Sequence, residues 1–203
     1  MIDLVILVPD KNAHYAVQGA LRRPISLGIR PITWTFRVHP GRDGGVRKIG
    51  PEMLAMEQGR SSHTLLLVDF EGCGTETLTG LELEHSLDER LRVHWGDRAK
   101  AVVVEPEIDI LMWGSDSVVA EVLQWTLDRG AREWLASRGW RFNERGKPER
   151  PKEALQHLVR EIGRARSSSL YQEITSRIGL RRCEDPSFVR LREQLQAWFS
   201  GSE

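Results

Sequence analysis

The segment that most constrains the fold is a run of aliphatic residues, Thr64-Leu-Leu-Leu-Val-Asp69, which ends in acidic residues. Polar residues precede it and the glycine-rich turn Gly72-Cys-Gly74 follows it, a pattern typical of a strand buried on both faces of a parallel sheet. Asp69 and Glu71 then stand at the carboxyl end of that strand, where open α/β sheets bind ligands. Both carboxylates are therefore candidates for chemistry, although an aspartate after a strand also commonly caps the next helix.

Composition describes an ordinary globular chain whose bulk charge points to no partner. The 203 residues include 29 Lys or Arg and 29 Asp or Glu, and 40% of the residues are hydrophobic. This length suits one α/β domain, with or without a small helical appendage. An excess of Arg and Lys over residues 129–166 is compatible with a nucleic-acid surface but does not establish one.

Cysteine and histidine usage argues against a zinc site. Cys73 and Cys183 lack metal-ligand spacing, and the six histidines are scattered singly along the chain. The apolar segment 2–8 is too short for a membrane span and has no basic leader. We therefore expect a cytoplasmic protein with free thiols and no membrane partner.

Apolar patterns along the chain predict strands alternating with helices. Strands are expected over 2–8, 31–39, 63–69 and 101–104. The second alternates at period two, which favours an edge strand. Helices are expected after Asn12, which is a plausible cap, and over 75–93, where leucines recur at helical spacing. This alternation predicts an α/β fold with a central, mostly parallel sheet flanked by helices.

The segment 40–48 is basic and rich in glycine, and it predicts a flexible loop followed by a short helix over 51–59. Arg42, Arg47 or Lys48 could approach a phosphate from such a loop, although Walker and GxGxxG spacings are both missing. The alternative is a solvated connection. The sequence leaves both readings open.

The chain beyond Ser115 is predicted to be largely helical. Helical spacing covers 118–127, 131–135, 152–162, 170–178 and 186–199, and polar, basic residues over 139–149 predict a loop. We therefore expect an α/β core over 1–115 and a helical extension over 116–203 that packs on the core.

Acidic residues follow three of the predicted strands. Asp10 follows the first strand, Asp69 and Glu71 follow the third, and the run Glu105-Pro-Glu107-Ile-Asp109 follows the fourth. Carboxylates gathered from separate strand ends suit hard divalent cations, which take oxygen ligands and can stabilise both reacting oxygens of a phosphodiester. This pattern predicts metal-dependent phosphodiester hydrolysis.

Each of these residues has an expected role in that chemistry. Mg²⁺, or Mn²⁺ in its place, would be held by Asp69, Glu71, Glu107 and Asp109. Asp10 would act as a ligand or an acid/base group, and Glu107 is counted among the catalytic residues as well as the ligands. Lys152 would neutralise a phosphate, unless it is simply the solvated start of a helix.

The order of these acids resembles the Toprim fold of topoisomerases, primases and overcoming-lysogenization-type nucleases. More narrowly, the chain resembles an uncharacterised family of small Toprim-like proteins. The shared features are the acidic run over 105–109, the helix start Pro151-Lys152 and the ending Cys183-Glu-Asp-Pro-Ser-Phe188. The resemblance implies a Toprim-like, Rossmannoid core, magnesium dependence and, often, a P-loop ATPase encoded beside it in phage-defence loci.

Two positions depart from the family's pattern. Asp10 stands where a glutamate is usual, and Asp69-Phe-Glu71 replaces an Asp-x-Asp. Shortening a carboxylate side chain by one methylene moves its oxygens by about an ångström, which is enough to cost much activity. Loss of catalysis with a retained binding role is therefore an alternative.

Two functions follow from these observations. The first is a magnesium-dependent nuclease, or nuclease subunit, that acts on DNA or RNA in a prokaryotic antiviral defence system. The alternative is a catalytically inactive interaction module whose helical tail docks a partner P-loop ATPase. A haloacid-dehalogenase-like phosphatase is disfavoured because its Asp-x-Asp belongs after the first strand. The oligomeric state stays open.

Overall fold

The centre of the protein is a four-stranded parallel sheet. The computed structural model describes residues 1–75, 77–127, 129–165 and 167–201. The strands are β1 (Ile2–Val8), β2 (Trp34–Val38), β3 (Ser61–Asp69) and β4 (Ala99–Val104), in the order β2-β1-β3-β4. All pairings in this sheet are parallel. The predicted α/β fold is therefore confirmed, and the alternating strand β2 lies at an edge.

Helices cover both faces of this sheet. They are α1 (Lys11–Leu21), α2 (Pro24–Leu27), α3 (Arg42–Ala55), α4 (Gly80–Trp95), α5 (Asp116–Leu123), α6 (Ala131–Ser137), α7 (Pro151–Glu161), α8 (Ser169–Thr175) and α9 (Pro186–Phe199). Short 3-10 helices cover Gly96–Arg98, Ile108–Gly114 and Leu180–Arg182. Within the described ranges, no helix combines the length and the apolar character that crossing a membrane requires.

Two hydrophobic clusters lie on opposite faces of the sheet because side chains alternate along each strand. Leu4 and Ile6 belong to the larger cluster, which α1 and the helices after β4 cover. Val5 and Leu7 belong to the smaller cluster, which α3 and α4 cover. β1 and β3 are thus buried on both faces, as their continuous aliphatic runs indicate.

Helix α3 replaces the flexible loop that we predicted over 40–48, and it also contains most of the short helix predicted over 51–59. Pro51 lies inside α3 and has no N–H to donate to the carbonyl group of Arg47. The Arg90 guanidinium of α4 donates to that carbonyl at 2.8 Å instead. Gly45 is required because a Cβ there would lie 2.3 Å from the His39 ring. Tertiary contacts thus stabilise a helix that local propensity disfavours.

Helix α4 begins later than the predicted start at residue 75. Thr79 caps it, and Thr79 and Glu82 form a reciprocal capping box. Its apolar face, which includes Leu83, Leu87 and Leu91, packs in the smaller cluster. The predicted crossover helix therefore exists, with its first turn fixed by the capping box.

Helices after β4 pack directly on the sheet. Helix α9 has the bounds predicted from its apolar stripe, and Arg190 from it donates to the carbonyl oxygen of Val103 at 3.0 Å and to Glu84. Residues from both sides of position 115 share the larger hydrophobic cluster. The division into units 1–115 and 116–203 stays a prediction.

Candidate active site

A cleft of about 580 Å³ opens at the carboxyl ends of the strands. Its charged lining consists of four aspartates and three cations: Asp10, Asp43, Asp69, Asp109, Lys11, Arg42 and Lys152. The aspartates come from four different connections of the fold. The structure thus brings Asp10, Asp69, Asp109 and Lys152 together, as their places after strands β1, β3 and β4 and at the start of α7 predict.

Asp10 lies at the N-terminus of α1 and caps that helix. Its Oδ1 accepts a hydrogen bond from the backbone N–H of Ala13 at 2.9 Å. The prediction that Asn12 is the cap is wrong, since Asn12 instead accepts a hydrogen bond from Ser168. Asp10 therefore has a structural role in addition to its place in the cleft.

Asp69 ends β3 and is 7% exposed. Its Oδ1 accepts a hydrogen bond from the backbone N–H of Ile108 at 2.9 Å, which ties the end of β3 to the 3-10 helix after β4. Asp43 in the first turn of α3 accepts from the backbone N–H of Asp69, also at 2.9 Å. One backbone contact thus holds two carboxylate-bearing residues beside each other.

The acidic run after β4 divides between solvent and the interior. Glu105 is exposed, whereas Glu107 and Asp109 are each 2% exposed. Asp109 lines the cleft and accepts a hydrogen bond from the Tyr171 hydroxyl of α8. The costly burial of these two acids is therefore offset by specific partners.

Glu107 is paired with Lys152. Its Oε2 accepts from the Lys152 ammonium at 2.7 Å, and its Oε1 accepts from the Lys152 backbone N–H at 3.3 Å. Lys152 lines the cleft at the start of α7, so it is more than a solvated helix start. The carboxylate of Glu107 fixes where that ammonium lies.

Glu71 and Glu107 are the two predicted ligands that do not line the cleft, and the pKa of Glu107 is raised by burial and also by the charge of Glu71. Glu71 is exposed, whereas Glu107 is buried. The chain turns directly after β3, where the Cys73 N–H donates to the Phe70 carbonyl, so residues 69 and 71 do not continue along one strand. The basic residues of 40–48 also separate: Arg42 lines the cleft, whereas the Arg47 side chain donates to the Cys73 carbonyl at 2.7 Å.

Sequence reasoning missed two residues of the cleft, Asp43 and His39. Both lie in the connection after β2, where we expected a loop. The signal was the position of Asp43, soon after a strand, as Asp10 is soon after β1. His39 is buried and its Nδ1 accepts from the Gly41 N–H at 2.9 Å, so a neutral ring carries its proton on Nε2.

Two aspartates of the cleft, Asp69 and Asp43, have a raised pKa, and burial is the largest cause for both. Burial raises the pKa of Asp69 well above its usual value, and the charges of Asp43 and Asp109 raise it further. The pKa of Asp43 is raised by burial and also by Asp10. The cleft therefore favours a bound cation or proton, because either would relieve the repulsion.

A second pair of pKa values is set by the contact between Glu107 and Lys152. Burial raises the pKa of Glu107, and the Lys152 ammonium opposes that shift. Burial alone would lower the pKa of Lys152, but the hydrogen bond and charge of Glu107 raise it. Lys152 therefore stays an ammonium over the physiological range.

The donor set of the cleft fits a hard divalent cation, since it consists of carboxylates with excess negative charge. In the part of the chain that the structure describes, no group of three His, Cys, Asp or Glu side chains is already arranged to hold a metal ion. Asp43, Asp69 and Asp109 are the residues whose charges act on one another. These three are the best candidates for ligands.

The strand order, the parallel pairing and the flanking helices together define an α/β fold with a central parallel sheet. One solved structure with this fold is the C-terminal region of the Burkholderia pseudomallei OLD protein, which matches with a TM-score of 0.52 and 12% sequence identity. The match covers 97% of this chain and 98% of that one. It shows that the fold is OLD-like. No family model matches the chain, and no curated protein matches it.

Proposed function

We propose that this protein is a metal-dependent nuclease, or nuclease subunit, that hydrolyses phosphodiester bonds of DNA or RNA. The observation that carries the proposal is the convergence of Asp10, Asp69 and Asp109 from three strand ends on one cleft that also contains Lys152. The OLD-like fold supports it, because the structural match covers nearly the whole of both chains and the sequence resembles overcoming-lysogenization-type nucleases.

Mg²⁺, or Mn²⁺ in its place, would be held by Asp69 and Asp109 together with Asp43. When bound, the metal would stabilise negative charge on phosphoryl oxygens and lower the pKa of a bound water. Glu71 and Glu107 remain proposed ligands, but the contacts described above favour Asp43 over Glu71.

The chain's own groups would orient the substrate. The Lys152 ammonium, held by Glu107, would bind a non-bridging phosphate oxygen in the cleft. Asp10 would accept or donate the proton that the reaction moves, from its fixed position at the N-terminus of α1. Arg42, which also lines the cleft, would add a second contact to the phosphate backbone.

A cleavage assay with matched variants tests this proposal. With Mg²⁺ or Mn²⁺ and labelled single- and double-stranded DNA and RNA, we expect Asp69→Asn and Glu107→Gln to lose at least about 100-fold in rate. Asp97→Asn is the control, since Asp97 is exposed and precedes β4, at the amino ends of the strands and so at the end of the sheet opposite the cleft. Full activity in Asp69→Asn would contradict the proposal.

A second candidate is an interaction module without catalysis, which would dock a P-loop ATPase in a defence system. It is favoured by the hydrogen bonds of the cleft, because Asp10, Asp43 and Asp69 each accept from a backbone N–H and so have structural roles. Calorimetry with Mg²⁺ separates the candidates. Binding that Asp69→Asn abolishes supports the nuclease, and no binding supports the module.

A further inference from the structure

The connection between α6 and α7 is a basic hairpin, residues 138–150, which we call the arginine hairpin. Phe142 and Pro148 form an antiparallel bridge, and the Glu149 N–H donates to the Arg141 carbonyl at 3.1 Å. The buried Lys147 ammonium fixes the hairpin to the core through the carbonyl of Ile110 at 3.1 Å and through Asp185. Its backbone is therefore held in place.

A cavity of about 300 Å³ lies at the base of this hairpin. Its lining is an indole, a glycine, three arginines and one glutamate: Trp140, Gly139, Arg138, Arg141, Arg150 and Glu149. The half-buried Trp140 is oriented by its Nε1–H, which donates to the His157 Nδ1 at 3.1 Å. A fixed aromatic ring beside several guanidinium groups is the combination that single-stranded nucleic acids require, since bases stack and phosphates need cations.

The arginines of the cavity differ in how far neighbouring acids neutralise them. Arg150 pairs with Glu153 at 2.8 Å, and Arg138 lies 3.8 Å from Glu161. Arg141 is exposed and has no ion pair among the residues that the structure describes. Arg141 is thus the guanidinium most free to take a phosphate.

One short segment of the chain contributes to both the cavity and the cleft. Arg150 lines the cavity and Lys152, two residues later, lines the cleft, so their Cα atoms are at most about 7 Å apart. The negative charge of Glu71 raises the pKa of Arg150, for which Glu153 is the larger cause. The same charge raises the pKa of Glu107, for which burial is the larger cause. The Arg150 and Glu107 side chains therefore both lie within electrostatic range of Glu71.

We propose that the arginine hairpin binds one nucleotide of a single-stranded nucleic acid whose neighbouring phosphate lies in the cleft. The base stacks on Trp140, and the phosphate contacts Arg141 and Arg150. A paired base is not free to stack in this way, so the site selects single strands over duplexes. This inference rests on the proposed function, because it takes the cleft to be a nucleic-acid site.

Fluorescence anisotropy with the full chain tests the inference, using a labelled 12-nucleotide single strand and its duplex in EDTA to prevent cleavage. We expect Arg141→Ala to weaken binding severalfold and to reduce the slope of log K against log salt by about 0.7, the value for one phosphate contact. Arg60→Ala is the matched control, since Arg60 is exposed just before β3, at the amino ends of the strands and so at the end of the sheet opposite the cleft. It should leave binding unchanged.

Substitutions at two further positions separate recognition from folding. Trp140→Leu should weaken binding about tenfold, whereas Trp140→Phe should keep most of it, because phenylalanine retains an aromatic face but loses the hydrogen bond to His157. Glu149→Gln should tighten binding, because it removes the one acid that lines the cavity. If Glu149 had only a structural role, its replacement by glutamine would not increase the affinity for nucleic acid.

The outcomes distinguish this inference from the proposed function. Unchanged single-strand binding by Arg141→Ala and Trp140→Leu would overturn the inference, and so would equal affinity for the duplex or no binding by the wild type. Metal-dependent cleavage would still support the nuclease in those cases. If the variants lose binding but the wild type never cleaves, the hairpin site stands and the hydrolysis proposal fails.

Discussion

The backbone N–H of Asp69 donates a hydrogen bond of 2.9 Å to Asp43 Oδ1, and this contact joins the end of β3 to the first turn of α3. It places two carboxylates beside each other in a cleft where burial already disfavours charge. Such a pair is costly unless a cation or a proton neutralises it. The contact therefore connects the fold of the β2–α3 unit to the proposed metal chemistry.

Asp43→Asn and Asp43→Ala should differ in stability but not in metal binding. Asparagine retains an oxygen that can accept the Asp69 N–H, so Asp43→Asn should fold normally. Alanine leaves that N–H without its partner, which should cost about 1–3 kcal/mol. Both should weaken Mg²⁺ binding. Denaturant unfolding and calorimetry check this prediction, and wild-type metal affinity in both variants would contradict it.

Asp69→Asn should stabilise the metal-free protein at neutral pH. The pKa of Asp69 is raised in the folded state above its ordinary 3.8, so between these values the folded state binds more protons than the unfolded state. Stability therefore falls as pH rises through that window, and the asparagine variant escapes the loss. We expect its advantage in Tm to grow from pH 4 to pH 7, by about 2–4 °C for each kcal/mol relieved.

Thermal unfolding in EDTA, with Asp97→Asn as the control, measures this effect. Asp97 is fully exposed, so its replacement should leave the pH profile unchanged. An asparagine variant at position 69 that is less stable than the wild type at pH 7 would show that the Asp69 charge is already compensated by the fold. Added Mg²⁺ should stabilise only proteins that retain Asp69.

Glu107 and Lys152 should show strong coupling in a double-mutant cycle. Lys152→Met leaves a buried carboxylate without its cation; because the Lys152 side chain is 42% exposed, we expect a loss of about 1–3 kcal/mol rather than the full cost of a buried pair. Glu107→Gln in the same chain should recover at least half of that loss. Additive effects of the two substitutions would indicate that the ion pair contributes little.

Gly19→Ala should destabilise the contact between α1 and α8. A Cβ at Gly19 would lie 2.1 Å from Thr175 Oγ1 and 2.7 Å from the Gln172 carbonyl oxygen. We expect a loss of about 1–3 kcal/mol in the free energy of unfolding. Gly44→Ala is the matched control in α3, where the nearest atom is 4.0 Å away and alanine should be neutral or stabilising. Equal effects at both positions would contradict the packing described.

The sequence was most informative where one element's own residues determine it. β1 and α9 have the predicted bounds because an uninterrupted apolar run and a helical apolar stripe, the latter opened by Pro186, each specify one structure. Helix α3 could not be predicted in this way. Gly45 and Pro51 disfavour it locally, and the contacts that stabilise it come from residues distant in sequence, such as Arg90.

The same distinction applies to the candidate site. Asp69 and Asp109 could be placed at the same end of the sheet because each follows a predicted strand, and the carboxyl ends of parallel strands lie together. The position of Glu71 depends on the geometry of the turn after β3, and that of Asp43 depends on the first turns of a helix where we predicted a loop. Side-chain direction after a strand ends is set by tertiary contacts, so an Asp-x-acid pattern cannot specify it.

Crystals soaked in Mn²⁺ and measured at the manganese absorption edge test the central claim most directly. We predict an anomalous peak in the cleft at coordination distance, about 2.1 Å, from oxygens of Asp69 and Asp109, and loss of that peak in Asp69→Asn. A cleft without a peak in fully soaked crystals, or a peak bound only elsewhere on the surface, would contradict the metal-dependent nuclease.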